Sequence, residues 1–336
     1  MSIPAALPEP RTPDPRAAPT LRWGVIGTGW IAERFTAALR RHSSQQVIAV
    51  GSRTASSARS FADRHGIAAA YGSYEELVEA ADVDVVYVAT PHNTHLPVAL
   101  LSLGAGKHTV VEKPIGATAA EARQIVTAAE AAGVFCMEAM WTAFLPKFDV
   151  LRQLLDTGAV GEPLSVVADF GEWFADDHRI LRPELAGGPL LDLGTYLVSV
   201  ALDVLGQTTS VAATGQWVPT GVLGQVGMLL DHQGGGRSVL HTTLRSNTPT
   251  TAVVAGSDAT LVIDGPFYQP GGFTLIAPDG TSRRHDEEPI GHEALHFQAA
   301  EVARRITAGD TGSPLRPLAD SVATLEVLDA IEAACR

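Results

Sequence analysis

The sequence has few of the features that define several classes of protein. Cysteine occurs only twice, at Cys136 and Cys335, outside any metal-binding or CxxC spacing, so we expect no disulfide framework and a reducing, cytoplasmic location. No apolar run reaches the length of a bilayer span, and residues 1–20 lack the apolar core of a signal peptide. The sequence therefore predicts neither a membrane protein nor a secreted disulfide scaffold.

Positive charge is scarce as well. The formal net charge is −13 at pH 7 and the pI is about 5.2, which disfavours nucleic acid or an anionic membrane as a partner. Hydrophobic residues make up 46% of the 336 positions and charged residues 18%. The chain can therefore bury large cores, and its length predicts about two domains.

Lysine is the rarest basic residue: Lys107, Lys113 and Lys147 are the only lysines among 24 basic residues. Arginine keeps its proton in proteins, whereas the charge of a lysine can be tuned by a desolvated site. Lys113 follows a run of β-branched apolar residues in VVEKPIG. Two interpretations stay open here, a chemical role for Lys113 or a surface lysine that closes a strand.

Three regions are predicted along the chain. Residues 1–20 contain six prolines and no periodicity, which predicts an extended, mobile arm unless a partner subunit orders it. Residues 21–141 alternate apolar strands with amphipathic helices, the pattern of a Rossmann domain with a doubly wound parallel sheet. Residues 142–336 contain longer alternating strands between glycine-rich turns, which predicts an α/β domain with a largely antiparallel, open-faced sheet.

A glycine-rich turn follows the first predicted strand and opens the first helix. GVIGTGWIA places Gly27, Gly29 and Ala32 at the three positions of a GxGxxG/A fingerprint. The first glycine permits the tight turn, the second lets the backbone approach a pyrophosphate, and the helix N-terminus receives the anion. The dinucleotide contacts predicted at this turn are Gly27, Thr28, Gly29, Trp30 and Ile31.

The end of the second strand bears on the choice between NADP and NAD. An NAD-selective site normally has an acidic residue there for the ribose 2′-hydroxyl, whereas this chain has Ser52 and Arg53. A hydroxyl and a guanidinium suit a 2′-phosphate, so NADP is the preferred cofactor and NAD the alternative. The choice stays open if Arg53 only stacks on the adenine.

Two further strand ends, ATPHNTH and VEKP, are expected near the nicotinamide, because open parallel sheets bind ligands beyond the carboxyl ends of their strands. His92 and His95 lack further ligands at a metal-binding spacing, so no metal is predicted. The cofactor contacts predicted at these ends are Thr90, Pro91, Asn93, His95, Glu112 and Lys113.

Five motifs, GVIGTGWIA, ATPHNTH, VEKPIG, MEAMWTAFLP and GGPLLDLGTY, together resemble the glucose-fructose oxidoreductase, inositol dehydrogenase and rhizopine-catabolism (Gfo/Idh/MocA) oxidoreductase family. They occur in order along nearly the whole chain from Leu21. The last two are most similar to the branch with dimeric dihydrodiol dehydrogenases and NADP-dependent xylose dehydrogenases.

The resemblance implies hydride transfer between NADP and a secondary alcohol or ketone of a sugar, cyclic polyol or dihydrodiol. It also implies a homodimer or homotetramer that assembles through the C-terminal sheet. The lysine of the family's EKP motif corresponds to Lys113, and its D-x-G-x-H/Y pair to Asp192 and Tyr196. Tyrosine at the last position counts against an inositol substrate. Ser57 stands where NADP-using members often have a lysine, which weakens the preference for NADP.

The chemistry explains why these residue types would be needed. Removal of a hydride from a carbinol carbon requires a base for the hydroxyl proton. A free tyrosine, with a pKa near 10, is a poor base at neutral pH, and a nearby ammonium lowers that pKa. We therefore expect Tyr196 to be the acid/base, Lys113 to lower its pKa, and Asp192, one helical turn earlier, to anchor a substrate hydroxyl.

Two residues and two functions are left as alternatives. Trp141 and Phe170 are either walls of the substrate pocket or ordinary core residues. Because a fold alone does not establish catalysis, a cofactor-sensing regulatory or binding protein on the same fold is the first alternative function. The second is a sugar–sugar oxidoreductase that holds its NADP tightly.

Overall fold

The apolar runs of the N-terminal region form six parallel strands. The computed structural model describes residues 3–336. Within them the chain forms a parallel-sheet unit of residues 13–144 and 290–322, and a mixed-sheet unit of residues 3–12, 145–289 and 323–336.

The sheet of the parallel-sheet unit has the order β3-β2-β1-β4-β5-β6, the order of a doubly wound dinucleotide-binding sheet. Strand order reverses between β1 and β4, and the carboxyl ends of these strands carry the glycine-rich turn and the ATPHNTH loop. The predicted doubly wound sheet is confirmed. Its strands are β1 (Arg22–Ile26), β2 (Gln46–Gly51), β3 (Ala69–Tyr71), β4 (Val85–Val88), β5 (His108–Glu112) and β6 (Cys136–Ala139).

Helices alternate with these strands, and three of the five begin at side-chain caps. The hydroxyls of Thr54, Ser73 and Thr118 accept hydrogen bonds from backbone N–H groups of the first turns, which satisfies donors that a helix start leaves open. The helices between the strands are α1 (Trp30–His42), α2 (Ala55–His65), α3 (Tyr74–Val78), α4 (His95–Gly104) and α5 (Ala119–Ala132).

Residues 290–322 return to the parallel-sheet unit, although the sequence patterns assign them to the C-terminal domain. Their helix α8 (His296–Ala308) buries Ala299, Ala300, Val302 and Ala303 completely. The apolar face of this helix predicts that it packs against a core, but the periodicity of its sequence does not predict which unit provides that core.

The mixed-sheet unit contains eight strands in the order β14-β13-β12-β11-β7-β10-β9-β8. Only β7 and β10 pair in parallel, so the predicted, largely antiparallel sheet is confirmed. Its strands are β7 (Pro163–Gly171), β8 (Thr208–Trp217), β9 (Leu223–His232), β10 (Arg237–Thr243), β11 (Ala252–Gly256), β12 (Thr260–Ile263), β13 (Phe273–Ile276) and β14 (Ser282–His285). The remaining helices of the chain are α6 (Pro146–Asp156), α7 (Thr195–Leu205) and α9 (Leu318–Ala334), whose first residues belong to the parallel-sheet unit.

One helical stretch, Pro183–Leu205, is apolar enough in composition and long enough to cross a bilayer, with a mean hydropathy of 1.4 in its most apolar window. It is no single regular helix, since it contains a 3₁₀ turn, a π-helical turn and α7. Within its unit 67% of that window is buried, as in the core helix of a globular domain.

The proline-rich N-terminal segment lies against the rest of the chain, in contrast to the predicted mobile arm. Arg11 forms an ion pair with Asp149 (2.9 Å), and the carbonyls of Ala5 and Glu9 accept hydrogen bonds from Arg283 and Gln153. Proline blocks regular secondary structure but leaves carbonyls and neighbouring side chains free to bond. The composition therefore predicted the extended backbone but missed these long-range partners.

Candidate functional site

The glycine-rich turn between β1 and α1 is shaped to receive a ligand. Gly27 has a φ of +111°, and a Cβ there would lie 2.4 Å from the carbonyl oxygen of Ala89, so only glycine fits. A Cβ on Gly29 would meet no protein atom within 4 Å. Gly29 also provides the N-cap of α1 without a side-chain hydrogen bond, which leaves open N–H groups for an anion. This turn fits a dinucleotide pyrophosphate.

Trp30, the first residue of α1, is 55% exposed and meets the ring of His292 edge-on at 4.7 Å. The other neighbour of His292 is Trp141, stacked at 5.1 Å and buried. Burial, together with the charges of Arg34 and Lys113, lowers the pKa of His292 to about 4. A neutral imidazole therefore joins the glycine turn to Trp141, a role that the sequence pattern missed.

The two residues that follow β2, Ser52 and Arg53, differ in their exposure to solvent. Ser52 is buried and its N–H donates to the carbonyl of Tyr71 (3.2 Å). Arg53 is exposed, and no acidic side chain of residues 3–336 forms an ion pair with it. A cation without an acidic partner suits a phosphate.

The loop after β4 contains four of the predicted cofactor contacts. Pro91 and Asn93 are exposed, whereas Thr90 is buried. His95 is completely buried, and its ring nitrogens lie 2.7 Å from the carbonyl oxygen of Pro114 and 2.9 Å from that of Thr90. Both ring nitrogens of His95 thus face backbone carbonyls, and the side chain lies between two loops.

The loop after β5 contains Glu112 and Lys113. Glu112 is buried and accepts hydrogen bonds from the hydroxyl of Tyr87 and from the N–H of Lys113 (3.2 Å). Burial raises the pKa of Glu112 to about 7, although the Tyr87 hydrogen bond and the Lys113 charge oppose the shift. Lys113 itself is half-buried, so a titratable acid lies directly before a partly accessible ammonium.

In the mixed-sheet unit Tyr196 belongs to a cluster of aromatic rings. The π-helical turn Leu190–Gly194 leads directly into α7 and carries Asp192 two residues from its start, an irregularity common at functional sites. The Tyr196 ring stacks on Tyr268 (4.6 Å) and lies 6.0 Å from Phe170. Phe170 also stacks on Tyr268, at 4.8 Å. The predicted residues Tyr196 and Phe170 therefore lie together.

Charged residues surround this cluster. Asp192 forms an ion pair with Arg179 (3.3 Å). Burial raises the pKa of Tyr268, and the charges of Glu172 and Asp192 raise it further. Tyr268 and Glu172 were missed because neither stands in a recognisable motif. Their proximity to the GGPLLDLGTY segment exists only in the folded unit.

A parallel sheet in this order, with an open glycine turn at its reversal point, is the framework of a dinucleotide-dependent oxidoreductase. The model of the oxidoreductase family with an NAD-binding Rossmann fold, Gfo/Idh/MocA, matches residues 21–140, and that of the Gfo/Idh/MocA C-terminal domain matches residues 148–262. The chain belongs to the Gfo/Idh/MocA family and is an NAD(P)-dependent oxidoreductase, as the sequence motifs predicted.

Relatives of known activity cover almost the whole chain. It is 36% identical over 320 residues to the trans-1,2-dihydrobenzene-1,2-diol dehydrogenase of Mus musculus, which covers 92% of this chain and 95% of the relative. The same enzyme of Bos taurus is 35% identical over 329 residues, or 94% of this chain and 96% of the relative.

Solved structures are similar over the same length. The 3-ketoreductase KijD10 from Actinomadura kijaniata, in complex with NADP and TDP-benzene, has a TM-score of 0.84 at 25% identity and covers 95% of this chain and 98% of its own. A levoglucosan dehydrogenase in complex with NADH and levoglucosan has a TM-score of 0.86 at 19% identity, over 94% of this chain and 97% of its own. The second similarity concerns the fold alone.

Proposed function

We propose that this chain is an NADP-dependent dehydrogenase that acts on a secondary alcohol of a cyclic vicinal diol or a related sugar. The observation that carries the proposal is the burial of the Tyr196 phenol, whose ring stacks on Tyr268, and the charge of Asp192 acts on Tyr268. It stands in a chain that is 36% identical over 320 residues to a dehydrogenase named for a cyclic diol.

Three residues of the chain have separate roles in this proposal. Tyr196, as the phenolate, takes the hydroxyl proton of the alcohol while a bound nicotinamide supplies the chemistry that accepts the hydride. Lys113 is assigned the task of favouring the phenolate through the positive charge of its ammonium. Asp192 accepts a hydrogen bond from a neighbouring substrate hydroxyl, and the aromatic rings exclude water.

The cofactor would be held by the segments described above. Backbone N–H groups of the turn Gly27–Ile31 would bind the pyrophosphate, Arg53 the ribose 2′-phosphate, and Thr90 and Asn93 the nicotinamide side. These segments belong to one unit. Cofactor binding is therefore expected to survive substitutions at Tyr196 or Asp192.

The direct test is an absorbance assay at the nicotinamide band with trans-1,2-dihydrobenzene-1,2-diol and a panel of aldoses, each with NADP and with NAD. We expect reduced cofactor to accumulate with at least one substrate. Tight cofactor binding without turnover on any of them would favour a regulatory binding protein. NADP that survives purification and turns over only with two sugars together would favour the sugar–sugar oxidoreductase.

Replacement of Arg53 by alanine tests the cofactor preference. The variant is expected to lose about 10- to 100-fold in affinity for NADP, since a hydrogen-bonded charge pair with phosphate is removed, and to bind NAD almost unchanged. Fluorescence titration of both cofactors measures the difference. Arg59→Ala is the matched control, because Arg59 is an exposed arginine in the following helix whose ion-pair partner is Asp63 (3.7 Å). Equal losses for NADP and NAD would show that Arg53 does not recognise the phosphate.

We further propose that two copies associate through the exposed face of the eight-stranded sheet. Val167, Val239 and Leu229 stand side by side in register on β7, β10 and β9, and they are 47%, 49% and 42% exposed. Val253 on β11 and Ala212 on β8 extend the same row. An apolar row across five strands is unusual on a monomer's surface and supports burial against an identical face.

Val239→Lys is expected to convert the oligomer to the monomer, because a charge in the centre of an apolar interface is left desolvated. Light scattering measures the mass against the 35.3 kDa of one chain. Leu100→Lys is the control, since Leu100 is an exposed leucine (36%) on α4 of the other unit. A wild-type protein of monomer mass at micromolar concentration would contradict this assembly.

A further inference from the structure

A buried carboxylate, Glu138, lies in β6 next to the strand that leads to Lys113. Glu138 is 1% exposed. Its Oε2 atom accepts hydrogen bonds from Nε (2.8 Å) and Nη2 (2.7 Å) of Arg316 and from the hydroxyl of Ser321 (2.8 Å). Arg316 is 2% exposed, so a complete ion pair is buried inside the parallel-sheet unit.

The other oxygen of Glu138 bonds to the loop that contains Lys113. Oε1 accepts the backbone N–H of Ile115 at 3.0 Å. The carbonyl of Pro114 is held from a second direction by Nδ1 of His95, at 2.7 Å. The two residues that follow Lys113 are thus bonded on both sides, by side chains from β6 and from the start of α4.

A buried ion pair is a poor way to stabilise a fold. The desolvation of two charges offsets most of their attraction, and well-packed apolar residues would often stabilise the same site better. A carboxylate has one property that apolar side chains lack, the capacity to accept a backbone N–H in a fixed direction. In this unit Arg316 and Ser321 orient the Glu138 carboxylate, and the oriented carboxylate accepts the N–H of Ile115.

We propose that Glu138 is a positioning residue for Lys113, with Arg316 and Ser321 holding its carboxylate in the orientation that fixes the Lys113–Ile115 backbone. Arg316 and Ser321, which belong to the returning segment 290–322, therefore act on Lys113 through Glu138. This inference rests on the proposed function, because it concerns the residue assigned to assist Tyr196.

Arg316→Met and Glu138→Gln are expected to lower turnover by roughly 10²-fold, because a displacement of about 1 Å at the reacting groups has an effect of this size. The dissociation constant of NADP should change by less than about threefold. The pH–rate profile for alcohol oxidation should move to higher pH by about one unit or more, since a displaced ammonium favours the phenolate less. A role in stability alone would lower the rate equally at every pH.

Two further variants keep the test decisive if Arg316→Met folds poorly. Arg316→Lys retains the charge with a less rigid donor and should recover part of the rate and of the pH profile. Glu301→Gln is the matched control: Glu301 is a buried acid of the same unit that accepts from Arg305 (2.6 Å) and Ser313 (2.9 Å), and no hydrogen bond of the described chain joins it to residues 112–115. Its pH profile should match the wild type.

The outcomes separate this inference from the proposed function. If wild-type protein turns over trans-1,2-dihydrobenzene-1,2-diol with NADP, and folded Arg316→Lys, Arg316→Met and Glu138→Gln proteins keep its pH profile, Glu138 does not position Lys113. If the wild type turns over no diol or sugar, the proposed function fails instead. A pH–rate profile that shifts in the Glu138 and Arg316 variants but not in Glu301→Gln supports the inference.

Discussion

Tyr196→Phe is expected to reduce turnover by about 10³-fold, because the variant lacks the group that accepts the substrate proton. Phenylalanine keeps the ring stacked on Tyr268 (4.6 Å), so the melting temperature and NADP affinity should stay close to those of the wild type. Steady-state kinetics measure the turnover, and a cofactor titration on the same preparation measures the NADP affinity.

Tyr268→Phe is the control for this variant. Tyr268 is the second phenol of the cluster, and its pKa is raised by burial and by the charges of Glu172 and Asp192, which makes it a weaker candidate for a base. We expect its turnover to fall far less than that of Tyr196→Phe. The reverse order would assign the proton transfer to Tyr268 and remove Tyr196 from the mechanism.

Lys113→Met is expected to lower turnover by about 10²-fold or more, with NADP binding nearly intact. Methionine matches the length of the side chain without its charge, so it removes the ammonium that favours the phenolate. Rates of alcohol oxidation should therefore recover partly at high pH, where the phenol loses its proton without assistance. A pH–rate profile of the variant beside the wild type measures this recovery.

Lys107→Met is the matched control, because the Lys107 ammonium donates to the backbone carbonyls of Ala80 (2.7 Å) and Val83 (2.8 Å). We expect this variant to be less stable but to keep the wild-type pH profile. Full activity in Lys113→Met would exclude Lys113 from the mechanism and leave it as a surface residue at the end of β5.

The parts that could be predicted are those whose signals are local. The turn Gly27–Ile31 was predicted because strand, turn and helix start within a dozen residues of one another. Asp192 and Tyr196 were predicted as site residues for a similar reason, since one short motif contains both. The parallel sheet was predicted from the near-continuous apolar runs that strands buried on both faces require.

The residues that were missed depend on contacts between distant segments. Arg316 and Glu138 are 178 positions apart in the chain, and nothing near either residue indicates the other. His292 stands in none of the five motifs, yet its ring packs between Trp30 and Trp141. The prediction that His95 contacts the cofactor came from its motif alone, and its two ring nitrogens lie 2.7 Å and 2.9 Å from the backbone carbonyl oxygens of Pro114 and Thr90.

The sequence alone determined the class of fold and the turn suited to a dinucleotide, and it supplied the candidates for the reacting groups, because periodicity, glycine spacing and side-chain chemistry act over a few residues. Only the tertiary structure decided which polar groups are buried together: the Glu138–Arg316 pair, the Phe170–Tyr196–Tyr268 cluster and the bonds of residues 3–12. The cost of burying a polar group depends on partners that any part of the chain can supply. The free-energy cost of burying each polar group is therefore determined only when distant segments come into contact in the folded chain.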